Sequence, residues 1–237
     1  MSYKREFEKA LKEHLAPWGF KYSKADSNYS RHFSEDIVQS IGWADERCEE
    51  PSWHYLKTFV GIGSVSLEKI LSEVTDGLAG GDVDKPIGPP YFCMHKEWIS
   101  ADPRADFIHC RFKPERPMEE NIAEFDKMYE EEVVTLFDMY NTQKAIYLCP
   151  ITDKYFEGGL YYWYYVPLAY YFNGEFDKAF EFIEERVRIV YELIERFGFS
   201  ESDATTLELY DNYKRNLKKW IEERRQFKVD DEYLPAF

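Results

Sequence analysis

The chain has 237 residues, enough to bury one large core or two small ones without staples. With 44% hydrophobic and 32% charged residues it has the composition of a soluble globular protein. A formal charge of −15 speaks against nucleic-acid binding, and no run approaches about 18 apolar residues free of charge, so no membrane span is expected.

The charge is uneven. Residues 1–116 carry 16 basic and 19 acidic side chains, net −3, and residues 117–237 carry 14 and 26, net −12. Solubility is the default meaning of such a surplus. The functional alternative is a basic protein partner, drawn in by long-range attraction. Cys48, Cys93, Cys110 and Cys149 contain no C-x-x-C pair, and MSYKREFEKALKEHL lacks the apolar core of a signal peptide. Both observations point to a reducing cytoplasm.

In chain order, Tyr3, Phe7, Ala10, Leu11, His14 and Leu15 recur at helical steps, and Pro17 and Gly19 end that helix. His14, at the edge of the stripe, reads as a packing residue. Alternating runs at 20–23, 29–33, 37–43 and 53–63, joined by short polar turns, predict an antiparallel meander. Ser66 is the expected N-cap of a short helix burying Leu67, Ile70, Leu71 and Val74. Residues 76–90 are Gly- and Pro-rich loop, and 91–99 with 106–112 read as a hairpin.

From Pro117 the period becomes helical, with Ile122, Phe125, Tyr129, Val133, Leu136 and Tyr140 inward and an acidic outer face. An aromatic helical hairpin spans Gly158–Glu185. Phe176, Phe180, Ile183, Val187, Tyr191 and Ile194 are expected inward on its second helix, which Gly198 stops. Ser202 or Asp203 is expected to cap a last helix carrying Tyr213, Leu217, Trp220 and Ile221 on one face. The fold class is α+β: an antiparallel four-to-six-stranded sheet with flanking helices, then a helical C-terminal half. The division is expected at 1–116 and 117–237, as two domains packed together or as one continuous domain.

Two resemblances follow from these residues. Phe7 and Leu11 on a helix, then Gly19-Phe20-Lys21, Tyr29-Ser30-Arg31, Ile37–Ile41 and Phe59-Val60-Gly61-Ile62, resemble a bacterial domain family of unknown function over residues 1–145. That resemblance implies an α+β fold and transfers no catalytic residue. Small bacterial families of this kind include immunity proteins that neutralise toxins, an analogy of fold only. Trp163, Tyr170, Gly174, Phe176 and Ala179 resemble one tetratricopeptide repeat, with Pro167 and Arg186 where small residues are expected. One copy without stacked neighbours does not imply a peptide groove. Pro167 is expected to bend the first helix or to start a new one.

Four constellations bear on chemistry. Cys93, His95 and His109 share the outer face of the predicted 91–112 hairpin and could hold a metal with an open position, although C-x-H is not a usual zinc spacing. Val60–Ser66 resembles a phosphate-binding turn but lacks the third glycine and the lysine, so a bulge or a close backbone approach better explains Gly61 and Gly63. Asp76, Asp82 and Asp84 lack calcium-loop spacing, and no nucleophile elbow is present. The reading is therefore a non-enzymatic, cytoplasmic protein-binding module without a cofactor, immunity-like by analogy, using its acidic helices or Tyr161, Tyr162 and Tyr165. The rival is a metal-dependent enzyme or metal protein centred on the Cys/His cluster. Oligomeric state is left open, a Tyr-burying homodimer included.

Overall fold

The structure, a computed structural model, describes residues 3–23, 28–47, 54–79, 111–152 and 162–225. It is α+β, with an antiparallel sheet and a helical C-terminal half. The chain forms two compact units, Met1–Ser64 with Ile87–Asn141, and Val65–Pro86 with Thr142–Phe237.

In the first unit, helix α1 (Tyr3–Leu15) buries Phe7, Leu11 and Leu15 completely, one residue per turn. A 3-10 turn, Ala16–Trp18, follows, and Gly19 closes it at φ +83°, where its N–H bonds Ala16 O at 3.0 Å. That left-handed conformation is open to glycine without a Cβ penalty. The chain then runs through β1 (Lys21–Ser23), β2 (Asn28–His32), β3 (Ile37–Arg47) and β4 (His54–Ser64), with a two-residue fifth strand, β5 (Arg111–Phe112), on the far edge of β4. All pairings are antiparallel.

Register places Tyr29 opposite Ile41 and Ile41 opposite Val60, and places Arg31 opposite Gln39 and Gln39 opposite Ile62. These rows share a face with Trp43, and α1 packs there. Phe7 meets the Trp43 and Phe112 rings edge-on at 5.7 and 4.6 Å, and Tyr29 OH donates to Glu8 O at 3.0 Å. Each such fully buried apolar side chain contributes about 1.5–3 kcal/mol. Gly61 and Gly63 are buried, but the β3–β4 ladder passes them without interruption, so the expected bulge is absent. β4 runs to Ser64 and the next helix opens at Val65, which leaves no loop to wrap a phosphate.

Helix α3 (Met118–Met128) starts one residue after Pro117. Asn121 is fully buried in its first turn, accepting from Lys113 N and donating to Lys113 O, both at 3.0 Å, and so ties the helix to the strand end. A π-helical turn, Tyr129–Val133, links α3 to α4 (Val134–Met139). Of the predicted stripe, Phe125, Tyr129, Val133, Leu136 and Tyr140 are buried along this length, whereas Ile122 is half-exposed at the edge.

In the second unit, α2 (Val65–Val74) buries Leu67, Ile70, Leu71 and Val74 as expected. Ser66 lies inside the first turn instead of capping it, and its hydroxyl meets Tyr147 OH at 2.5 Å. Helices α5 (Gln143–Thr152), α6 (Tyr162–Phe172), α7 (Phe176–Phe197) and α8 (Glu201–Glu222) complete the unit. α6 continues through Pro167 as one helix. It ends in a Schellman motif: Glu175 N bonds Tyr170 O at 2.9 Å, Gly174 N bonds Tyr171 O at 3.0 Å, and Gly174 sits at φ +76°.

Two sequence expectations are corrected on α7 and α8. The buried axis of α7 is Ala179, Ile183 and Val190, while Phe176 and Tyr191 are exposed. Ala179 of α7 and Ala169 of α6 are both buried, and the ring pairs Trp163–Phe182 and Tyr171–Phe176 join the two helices at 5.8 and 5.4 Å. The cap of α8 is Ser200, in a capping box with Asp203.

The units do not follow the composition break at residue 116. α8 reaches the C-terminal end of α2 with Asn216 Nδ2, which donates to Val74 O and Asp76 Oδ1, both at 3.0 Å, and ion pairs join Arg215 to Asp76 and Arg225 to Glu73. α2 thereby belongs with the later helices, while α3, π turn and α4 cover the sheet.

Candidate functional site

One flank of α1 meets α3 along an open groove of about 490 Å³. Ala10 from α1 and Met118, Ile122 and Ala123 from α3 supply apolar surface, and Glu13, His14, Glu119 and Asp126 supply the polar groups. The helical periods produce this arrangement. Phe7, Leu11 and Leu15 turn inward on α1, which brings Ala10, Glu13 and His14 to the flank. On α3, Phe125 and Met128 turn inward and leave Ile122 half-exposed beside Asp126.

His14 Nε2 donates to Asp126 Oδ1 at 2.5 Å across the groove, and the Trp18 ring stands edge-on to the imidazole at 4.9 Å. Both partners are partly exposed, 25% and 36% by side chain. Glu13 lies 3.9 Å from Lys9 Nζ, both well exposed. No lysine or arginine lines the groove among the described residues. Its chemistry is an apolar strip with three carboxylates around it, which matches a long cationic side chain: the aliphatic stem on the strip, the charged head at the acids.

Arg31 reaches in from β2, donating to Gln39 Oε1 at 2.7 Å and Trp18 O at 2.8 Å, with its guanidinium 4.6 Å above the Phe20 ring. The Tyr129 hydroxyl beside it has its pKa raised by burial, which outweighs the lowering influence of Arg31.

Of the residues singled out in the sequence, Cys93, His95, His109 and Tyr161 lie outside the described residues, and so does the side chain of Tyr162. Tyr165 is buried, not a surface residue, and its hydroxyl donates to the buried Glu68 carboxylate. It points inward because α6 packs on both α5 and α7, leaving little of its circumference to solvent. No group of three or more metal-ligating side chains gathers among the described residues, and no helix there is long and apolar enough to cross a membrane.

Sequence reasoning missed the groove. His14 and Asp126 are 112 positions apart, and nothing in either local pattern announces the other. The available signal was a histidine at the edge of one amphipathic stripe and an aspartate at the edge of another. No family model matches the chain, and no curated protein or solved structure matches it either.

Proposed function

We propose that this chain is a non-enzymatic protein-binding module whose partner presents a basic side chain to the α1/α3 groove. The observation that carries this reading is the groove itself: an apolar strip lined by Glu13, Glu119 and Asp126, with no lysine or arginine among its described lining residues. The net charge of −15 supports it, since a basic partner would be steered toward the surface before docking. Neutralisation of a toxin is the finer form of this function, and it rests on analogy alone: residues 1–145 resemble a bacterial domain family of unknown function, and small bacterial families of that kind include immunity proteins.

The test is affinity capture on the immobilised full chain, wild type against the double variant Glu119→Lys/Ala123→Arg. Both positions are exposed on α3, so the fold is retained while the groove loses its negative surplus. A basic protein held by the wild type, released by salt and lost on the variant is the expected result. A partner set identical on both columns would overturn the groove as the binding site.

A further inference from the structure

Helix α7 carries one continuous stripe at steps of four and three: Ala179, Ile183, Arg186, Val190, Leu193 and Phe197. Its first half does what such a stripe does. Ala179, Ile183 and Val190 are buried, and Arg186 stacks on the Trp163 ring of α6 at 3.8 Å. The second half does not. Leu193 is 46% exposed and Phe197 76%, with Phe199 64% exposed just beyond and Tyr191 55% on the flank.

Helix lengths account for the change. α6 has 11 residues, about 16 Å, whereas α7 has 22, about 33 Å, so α6 can flank only half of its neighbour. α8 does not make up the difference: its buried residues begin at Leu209, and no residue from Tyr191 to Glu208 is buried. Among the described residues, the distal part of the α7–α8 hairpin therefore keeps a core-type stripe with no helix to cover it. A cluster of exposed Leu and Phe at core spacing is costly in water and marks an interaction surface.

Charge identifies the occupant. Residues 191–211 carry six carboxylates, Glu192, Glu195, Glu201, Asp203, Glu208 and Asp211, against one guanidinium, Arg196. A second copy of this chain would bring the same surplus to the same place, and like charges facing each other oppose that pairing. A helix with an apolar stripe and lysine or arginine beside it satisfies both features at once.

We propose that the distal half of α7, through Leu193, Phe197 and Phe199, is a docking surface for a cationic amphipathic helix of a partner protein. It lies in the other unit from the α1/α3 groove and stands independently of it.

The probe is a synthetic Leu/Lys helix with leucines at core spacing and a fluorophore at one end, titrated with the full chain and followed by anisotropy. Saturable binding is expected, weakened about tenfold or more by Leu193→Asp/Phe197→Asp. A scrambled peptide of equal composition should bind as weakly as that variant allows. Because both positions are already exposed the variant should fold, and unchanged circular dichroism together with the milder Phe197→Ser variant checks this. Four results would each overturn the proposal. The scrambled peptide could bind as well as the amphipathic one, which would mean charge alone. The double variant could bind as well as wild type. Light scattering could show a dimer that the double variant dissolves, making a second copy the occupant. Loss of peptide binding in Glu119→Lys/Ala123→Arg alone would place the peptide in the groove, sparing that reading while removing this one.

Discussion

Tyrosine is where single residues of this protein say most. Tyr29, Tyr171, Tyr210 and Tyr213 all have hydroxyl pKa values raised, in each case chiefly by burial. Their hydroxyls are spent inside: Tyr213 donates to Tyr164 O at 2.8 Å, Tyr29 to Glu8 O, and Tyr171 to Arg225 O. A raised folded-state pKa means that the unfolded chain loses these protons first. The stability they contribute is complete below the ordinary tyrosine value of about 10 and is lost as pH rises above it toward the folded values. Urea midpoints should therefore fall above about pH 10, and the share of the tyrosinate absorbance that belongs to these four buried residues should appear only with unfolding. A tyrosinate signal that titrates fully in the folded protein would contradict this. Composition shows many tyrosines; which of them are interior depends on packing, as Tyr165 illustrates. It sits in the densest aromatic run of the chain, yet it is buried between packed helices and its hydroxyl meets Glu68, 97 residues earlier in sequence.

Among elements, the periodic ones were legible and the edges less so. Phe7, Leu11 and Leu15 define the buried side of α1, and Phe125, Tyr129, Val133, Leu136 and Tyr140 define that of α3 to α4. Period alone carries these, since an apolar stripe has one side to bury. On α7 the same reasoning chose the large rings at 176 and 191, whereas packing turned on Ala179. Size complementarity between two helices is invisible in either one alone. The α8 cap shows a local rule applied two residues late: Ser200 and Asp203 make the reciprocal pair, Ser200 N donating to Asp203 Oδ2 at 2.8 Å. Replacing Ser200 by Ala should cost about 1 kcal/mol in denaturant unfolding, and Ser202→Ala close to nothing. Equal losses at both positions would argue against the capping box.

For the molecule as a whole, sequence order and spatial order disagree over α2. It follows directly on β4, yet its C-terminal carbonyl and acids are engaged by Asn216, Arg215 and Arg225 of the last helix and its sequel. Asn216→Ala should lower hydrogen-exchange protection in α2 along with that of α8, whereas Phe7→Ala should lower it in the meander first. Protection in α2 that follows the strands instead would mean that it is stabilised with the sheet. By itself the sequence determined the class of fold, the strands of the meander and the buried sides of α1 and of α3 to α4, because these depend on residues a few positions apart. The tertiary structure alone decided the grouping of α2 with the last helices, the meeting of His14 with Asp126 and the uncovered end of the α7 stripe. Each of these depends on the separation of distant segments or on the length of a neighbouring helix, and no local period encodes either.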